Sequence, residues 1–181
     1  AGGPIYGIFA CTKDFLRLMP GRVVGQSIDT AGKTAYTLTL STREQHIRRH
    51  RATSNICSNE TLIALMGAMH MALLGPVGLE KLSLRILAST VRAMNEVSSV
   101  EGVELAFPNS PVFREFAIKI PGKSEDALSH MDKLGVTAGF DLGNWWKDKS
   151  SWILVGCDER TSELDIIALK EALTSWVEGS E

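Results

Sequence analysis

A cluster of cationic side chains is the part of the sequence with the clearest chemistry. Four arginines and two histidines occur between Arg43 and Arg51, and an apolar run from Leu62 to Leu74 follows shortly afterwards. The apolar run predicts a buried helix. The free N–H groups and the positive dipole end at the start of a helix attract anions. The stretch 42–55 therefore predicts a turn that binds an anion.

Three polar residues close this stretch, namely Thr53, Ser54 and Asn55. Their hydroxyl and amide groups could bind the anion together with backbone N–H groups. The same side chains could equally cap the following helix, since these residue types are preferred at that position. The two roles are compatible within one residue, and the sequence leaves both open.

The basic residues themselves are candidates for anion or substrate binding. At helical spacing His46 and His50 share a face with Arg43, and Arg48 shares a second face with Arg51. A purely solvated surface is the alternative, but six basic residues in nine positions make it less favoured. Nucleic-acid binding is disfavoured because no aromatic side chain lies among the charges to stack on a base. The predicted anion-binding residues are His46, Arg48 and Arg49.

Composition limits the classes of function that remain. The net charge is -2, so the chain as a whole does not attract nucleic acid or an anionic membrane. The three cysteines form no CxxC pair, which disfavours a metal site or a disulfide framework. We expect a reducing, cytoplasmic location. No apolar run reaches the roughly 20 residues that a membrane span requires.

The first half of the chain predicts a small set of elements. Residues 5–11 are apolar on both faces, which is typical of a central strand. Residues 22–28 and 34–40 predict a β-hairpin because turn residues join them. A helix over 59–74, apolar all round, predicts burial, and an amphipathic helix over 79–97 follows the Gly-Pro-Val-Gly break.

The second half alternates strands and helices. Residues 102–105, 113–120 and 152–157 predict strands, with Phe116 and two isoleucines on one face of the second. Ser124 is expected to cap a helix that ends at Gly135, and Thr161-Ser162-Glu163 to begin the last helix.

These patterns predict three regions. Residues 1–78 would be the end of a larger domain with a hairpin arm and a buried helix. Residues 79–99 would be a connecting helix, and residues 100–181 a small α/β domain. An apolar strand that opens a chain without a pairing partner favours the interpretation of the chain as the C-terminal piece of a longer protein.

The order of several short motifs resembles one enzyme family, the glycine decarboxylase or P-protein of the glycine cleavage system, in its subunit 1 or N-terminal-half form. The motifs are Phe9-Ala10-Cys11-Thr12-Lys13, Met19-Pro20-Gly21-Arg22-Val23-Val24-Gly25, Thr34-Ala35-Tyr36-Thr37-Leu38-Thr39-Leu40-Ser41-Thr42-Arg43-Glu44-Gln45-His46-Ile47-Arg48-Arg49 and Ala52-Thr53-Ser54-Asn55-Ile56-Cys57. The resemblance is most specific over 3–75 and weaker over 100–181.

The resemblance implies a fold-type I enzyme dependent on pyridoxal phosphate (PLP), with a large domain, a long connecting helix and a small C-terminal domain. It implies that a partner subunit carries the lysine that binds PLP covalently. Lys13 and Lys33 are therefore not expected to be catalytic, and no catalytic residue is predicted in this chain. Thr53, Ser54 and Asn55 are expected to contact the phosphate of that PLP in trans.

The resemblance also implies an activity and partners. The family decarboxylates glycine and passes the aminomethyl group to the lipoyl arm of H-protein. The expected partners are subunit 2, in an α2β2 assembly, and lipoylated H-protein, and the chain alone is expected to be inactive. The alternative is a non-catalytic scaffold subunit that only stabilises the partner that carries PLP.

Overall fold

The computed structural model describes residues 3–40, 44–52 and 60–179. It contains two compact units, one formed by Pro4–Met69 and the other by the chain from His70 onward. The described part is a mixed α/β structure with a two-stranded and a four-stranded sheet. The domain boundaries predicted at 78/79 and 99/100 stay a prediction.

The predicted β-hairpin is present in the first unit. Strands β1 (Val23–Ile28) and β2 (Thr34–Thr39) pair in antiparallel fashion, with Val23 opposite Thr39 and Ile28 opposite Thr34. The Asp29 carboxylate accepts hydrogen bonds from the backbone N–H groups of Ala31 and Lys33 at 2.8 and 2.9 Å. This side chain fixes the turn in the way that Asp commonly does in tight connections.

The expectation of a central strand over 5–11 is wrong for the chain as the structure describes it. Within the described residues this segment has no regular secondary structure and joins no sheet, and Ile5 is 88% exposed. A strand requires a neighbour to satisfy its N–H and C=O groups, and the apolar pattern does not reveal whether the same chain supplies one. A single helical turn of 3-10 type follows at Lys13–Phe15, and Thr12 precedes it without a side-chain cap.

The two predicted helices form one broken helix, α2 (Thr61–Ser98). Gly75 interrupts it with φ 62° and ψ -179°, a conformation that favours glycine. Pro76 stands directly after the break, where its missing N–H is no loss. The break is thus where the sequence predicted it, but the second segment begins earlier than residue 79.

The segment of α2 before Gly75 is not buried by the described chain. Leu62 is 69% exposed, and Leu65, Met66 and Met69 are also exposed, although burial was expected. The length and composition of α2 would allow it to cross a membrane, as they would for many core helices of soluble proteins. The break leaves about 14 residues before it, or roughly 21 Å of straight helix, which is short of the roughly 30 Å hydrocarbon layer.

The second unit contains a four-stranded antiparallel sheet in the order β3-β4-β6-β5. The element bounds are β3 Glu104–Leu105, β4 Glu115–Lys119, α3 Ser124–Lys133, β5 Phe140–Asp141, β6 Trp152–Gly156 and α4 Glu163–Glu178. β5 was not predicted, because two residues are too few to produce an alternating pattern. Gly135, at φ 79°, ends α3 as expected.

The core of this unit lies between the sheet and the helices. Phe116, Ile118 and Ile120 are buried on one face of β4 and just beyond it, which confirms the predicted alternation. The helical period of the sequence predicts an apolar stripe on α4 formed by Leu164, Ile167, Ala168, Ala172 and Leu173. The buried residues are Ile166, Leu169, Ala172 and Leu173, whereas Leu164 and Ile167 are exposed. The helical period was right and the predicted face was partly wrong, since Ile166 and Leu169 face the core in place of Leu164 and Ile167.

Ser124 does not cap α3. It is the first residue of the helix, fully buried, and its hydroxyl lies 2.5 Å from Asp141 Oδ1 and 2.7 Å from the Ser150 carbonyl oxygen. Asp141 also accepts from the Gly143 N–H at 2.7 Å. The serine therefore connects three segments of the second unit rather than its own helix start.

Candidate functional site

The candidate site is the basic segment, defined here as Glu44–Ala52. It consists of one short helix, α1 (Gln45–Arg48), followed by a 3-10 turn at Arg49–Arg51. The side chains of the three predicted anion-binding residues are exposed, and none of them takes part in an ion pair among the described residues. Cationic donors that no carboxylate occupies are available to an external anion.

Two residues with positive φ flank α1. Leu40 has φ 56° at the end of β2, and Arg49 has φ 54° and ψ -123° directly after α1. Non-glycine residues adopt such conformations at an energetic cost, and they are found disproportionately at functional sites. The turn at Arg49 also means that the basic residues do not form one helix, so the expected sharing of a face by His46 and His50 is wrong.

A small pocket of about 230 Å³ connects the basic segment with the hairpin. We call it the hairpin pocket, and it is lined by Arg22, Leu38, Thr39, Glu44 and His46. Of the predicted site residues that the structure describes, His46 alone lines it. The sequence reasoning missed Arg22, whose only signal was its position directly before β1, at the same end of the hairpin as Thr39.

The predicted cofactor contacts, Thr53, Ser54 and Asn55, lie outside the described residues. Their roles as phosphate ligands or helix caps stay predictions. Arg43 also lies outside the described residues, so its place on a face of the basic stretch stays a prediction.

Covalent binding of PLP requires a lysine held in a pocket, so the lysines of the chain test whether it fits this cofactor. All of them lie in the described part, and none is buried. Lys13 and Lys33 are exposed beside turns, while Lys170 pairs with Glu96 and Lys149 lies over the Trp152 ring. The exposed cations of the basic segment fit contact with an anionic group, and no lysine is held in a pocket by the described residues.

The second unit offers no comparable chemistry in its described part. A cavity of about 480 Å³ includes Cys157, Asp158 and Arg160. Burial raises the pKa of the Cys157 thiol, which disfavours the reactive thiolate. Arg160 is occupied by Asp158 at 3.2 Å. No group of three or more His, Cys, Asp or Glu residues within the described ranges could hold a metal ion.

The sequence of the chain matches a family model and several known proteins. The family model described as glycine cleavage system P-protein matches residues 1–173. A protein of Desulfovibrio desulfuricans named probable glycine dehydrogenase (decarboxylating) subunit 1 is 40% identical over 95% of the chain and 39% of its own length. A protein of the same name from Coxiella burnetii is 37% identical over 97% of the chain and 39% of its own length.

Solved structures agree with the sequence comparison. A crystal structure of glycine decarboxylase (P-protein) in inhibitor-bound form matches with a TM-score of 0.88 and 36% identity, over 96% of this chain and 39% of that one. A NifS-like protein from Rickettsia africae matches with a TM-score of 0.52 and 16% identity over 71% of this chain and 37% of that one, which indicates a shared fold alone. The chain spans about two fifths of the length of the relatives it matches.

Proposed function

Because the chain belongs to the glycine cleavage system P-protein family, we propose that it forms part of one subunit of a PLP-dependent glycine dehydrogenase (decarboxylating). The family resemblance seen in the sequence and the fold-type I α/β class are thereby confirmed. In the proposal, a second subunit holds PLP covalently, and this chain builds one wall of the active site in trans.

The observation that carries the proposal is the basic segment and its surroundings. The segment presents exposed cations without carboxylate partners in the described chain, while none of the lysines is buried. An anion-binding element without a lysine for covalent attachment suits a chain that contacts a cofactor held elsewhere. Thr53 and Ser54, with Asn55 and neighbouring N–H groups, would bind the phosphate, and Arg48, Arg49 and His46 would add positive potential.

PLP supplies an electron sink for the decarboxylation of glycine when it is bound. The residues of this chain would hold its phosphate, orient the ring through that contact and shape the entry for the lipoyl arm of H-protein. Precise placement of reacting groups contributes several kcal/mol to catalysis in general, so a residue that only positions the cofactor still affects the rate. The proposal includes an α2β2 assembly in the cytoplasm with subunit 2.

One structural feature favours the second candidate function, a scaffold without cofactor contact. The apolar helix segment before Gly75 is exposed in the described chain, and exposed apolar surface of this kind marks an interface. A subunit could bury this surface against its partner and stabilise it without approaching PLP. The two candidates differ only in whether the basic segment and the residues after it contact the cofactor.

The deciding experiment substitutes Thr53→Ala in the full-length subunit assembled with its partner. Retention of PLP is measured by its absorbance after dialysis, without any turnover assay, and assembly is measured by native mass spectrometry. We expect Thr53→Ala to lose PLP faster and Thr53→Ser, which keeps the hydroxyl, to retain it. Unchanged PLP retention in a correctly assembled Thr53→Ala enzyme would leave only the scaffold function.

A further inference from the structure

Three exposed aromatic side chains lie together on the second unit, on β5 and the loop that follows it. We call them the aromatic patch, which consists of Phe140, Trp145 and Trp146. The ring centroids of Phe140 and Trp145 are 5.3 Å apart and those of Trp145 and Trp146 are 5.9 Å apart, both in edge-to-face geometry. Trp145 is 72% exposed, and the other two rings are 42% and 48% exposed. Because tryptophan is enriched in binding hot spots, such an exposed group indicates an interface.

The loop that carries the two tryptophans is fixed from below by hydrogen bonds. The backbone N–H groups of Trp145 and Trp146 both donate to the carbonyl oxygen of Leu142, at 3.2 and 3.0 Å. Leu142 is buried, and the Asp141 side chain before it accepts a hydrogen bond from the fully buried Ser124 hydroxyl. Aromatic residues that are already held in place lose little conformational entropy on association. The aromatic patch is therefore preorganised for contact with a partner.

The charged residues next to the patch have both signs. Lys147 directly follows Trp146, is exposed and forms no ion pair among the described residues. Asp148 comes next, its side chain is 76% exposed, and its contact with Lys149 is long at 3.5 Å. Lys149 is held over the Trp152 ring, with its Nζ atom 4.1 Å from the ring centroid. Within the described chain, the patch thus has one unpaired cation beside one weakly paired anion.

This pair of charges distinguishes between possible partners. An acidic protein or an anionic membrane would be attracted by Lys147 but repelled by Asp148. A second copy of the chain, related by a twofold axis, satisfies both charges because Lys147 of each copy can meet Asp148 of the other. The rings of two copies can also pack against one another in the edge-to-face or offset manner that aromatic pairs prefer.

The exposed area of the patch agrees with such a contact. A ring of this kind buries about 150–250 Å² in full, so the three rings at their observed exposure offer roughly 400 Å² per copy. A standard interface takes about 800 Å² from each partner. The aromatic patch therefore supplies about half of a standard interface, which suits a contact between two assemblies that other surfaces already hold together.

We propose that the aromatic patch joins two copies of this chain through an isologous, twofold contact. Trp145 is its central residue, since it is the most exposed of the three rings and contacts both others. Lys147 and Asp148 form two equivalent ion pairs at its edge. The inference rests on the proposed function to the extent that the α2β2 assembly brings two copies of the chain together, and it assigns the surface by which two αβ halves meet.

The test uses the assembled full-length enzyme and measures its dissociation into αβ halves by sedimentation velocity over a concentration series. We expect Trp145→Ala to raise the dissociation constant by at least roughly 30-fold, the effect of losing a hot-spot side chain. Trp145→Phe keeps an aromatic ring and should restore part of the affinity. Phe113→Ala is the matched control, since Phe113 is an aromatic residue of the same unit that is 48% exposed and lies outside the patch.

Two charge variants give a signature that a merely structural role of the loop would not produce. Lys147→Glu places carboxylates opposite each other in the contact, and we expect a roughly 5-fold weaker association of the halves. Adding Asp148→Lys exchanges the two charges within each copy, so the ion pairs form again with reversed polarity and the dissociation constant should return towards that of wild type. Without this rescue the contact is not twofold, and the inference fails.

Four further results would overturn the inference. One is wild-type enzyme that sediments only as αβ halves at every concentration, and another is an unchanged dissociation constant in Trp145→Ala. The third is release of free subunits by Trp145→Ala, which would assign the patch to subunit 2. The fourth is unchanged association of the halves together with loss, in Trp145→Ala, of binding to vesicles of phosphatidylcholine and phosphatidylglycerol, which would assign the patch to a membrane.

Failure of this contact is distinguishable from failure of the proposed function. Sedimentation is measured without turnover and does not depend on the PLP content of the enzyme. PLP retention in Thr53→Ala is read within each αβ half, whether or not two halves associate. Normal PLP loss in Thr53→Ala with no effect of Trp145→Ala would thus remove the contact and leave the proposed function in place.

Discussion

Lys170 Nζ donates a hydrogen bond to Glu96 Oε2 at 2.9 Å and so joins α4 to the second segment of α2. The two residues are 74 positions apart in the sequence. The hydrogen bond and the charge of Lys170 lower the pKa of the Glu96 carboxyl below its ordinary value of 4.5. A second pair, Arg92 and Glu163 at 2.6 Å, joins the same two helices with both side chains more exposed.

The Glu96–Lys170 pair makes the stability of the second unit dependent on pH. A carboxyl with a lowered folded-state pKa contributes stability above its unfolded pKa and loses it as the pH falls through the folded value. We expect Lys170→Met to lower the Tm at pH 7, with the difference from wild type shrinking below pH 4.5. Thermal unfolding of the purified chain between pH 7 and pH 3 measures this. A Tm difference between wild type and Lys170→Met that stays constant from pH 7 to pH 3 would contradict the stabilising role of the Glu96–Lys170 pair.

Burial on α4 can be tested with two leucines of the same helix. Leu173 is fully buried and Leu164 is 76% exposed. We expect Leu173→Ala to reduce the free energy of unfolding by about 2–5 kcal/mol because it leaves a cavity. Leu164→Ala, the matched control, should change it by less than about 0.5 kcal/mol. Chemical denaturation gives both values, and similar costs would mean that the face of α4 is wrongly placed.

The start of α4 is held by a capping box. The Ser162 side chain accepts from the Asp165 N–H, and the Asp165 side chain accepts from the Ser162 N–H at 2.8 Å. We expect Ser162→Ala to reduce the free energy of unfolding by about 1 kcal/mol. Ser129→Ala, at an exposed position inside α3, should be neutral or slightly stabilising. Equal changes in the free energy of unfolding for Ser162→Ala and Ser129→Ala, measured by chemical denaturation, would show that the Ser162 cap does not stabilise α4.

Exposed apolar side chains on α2 predict self-association of the isolated chain. Leu65 and Met69 are one helical turn apart and both are more than half exposed. We expect the chain to form oligomers at high concentration and Leu65→Glu to shift it towards monomer, because a charge in such a contact is costly. Sedimentation velocity measures the distribution, with Leu164→Glu as a control on an exposed site of α4. A wild-type chain that stays monomeric would contradict this interpretation of α2.

Much of the fold was predictable where a local pattern had a single physical cause. The alternation through Phe116, Ile118 and Ile120 predicted one buried face of a strand, and burial confirms it. The turn at Asp29 and the break at Gly75 followed from residue types that favour those conformations. Ser162 was recognised as part of a helix start because a hydroxyl there is commonly a cap.

The features of the fold and of the site that the sequence did not predict depend on contacts between residues far apart in the chain. The partner of the apolar segment 5–11 could not be known from its own pattern, and neither could the contacts of Ser124 with Asp141 and Ser150. At the site, the sequence identified the basic segment but not the turn at Arg49, which interrupts it. Arg22 lines the hairpin pocket because strand pairing places it near Thr39, so only its position directly before β1 could have indicated it.

The sheet of the second unit ends in very short outer strands. β3 and β5 contain two residues each and flank the longer β4 and β6. Two residues offer too few unpaired backbone groups to template another strand, and short edges of this kind protect natural sheets from amyloid-like growth. Aggregates of this unit should therefore bind little thioflavin T and should keep the amide infrared bands of the native sheet.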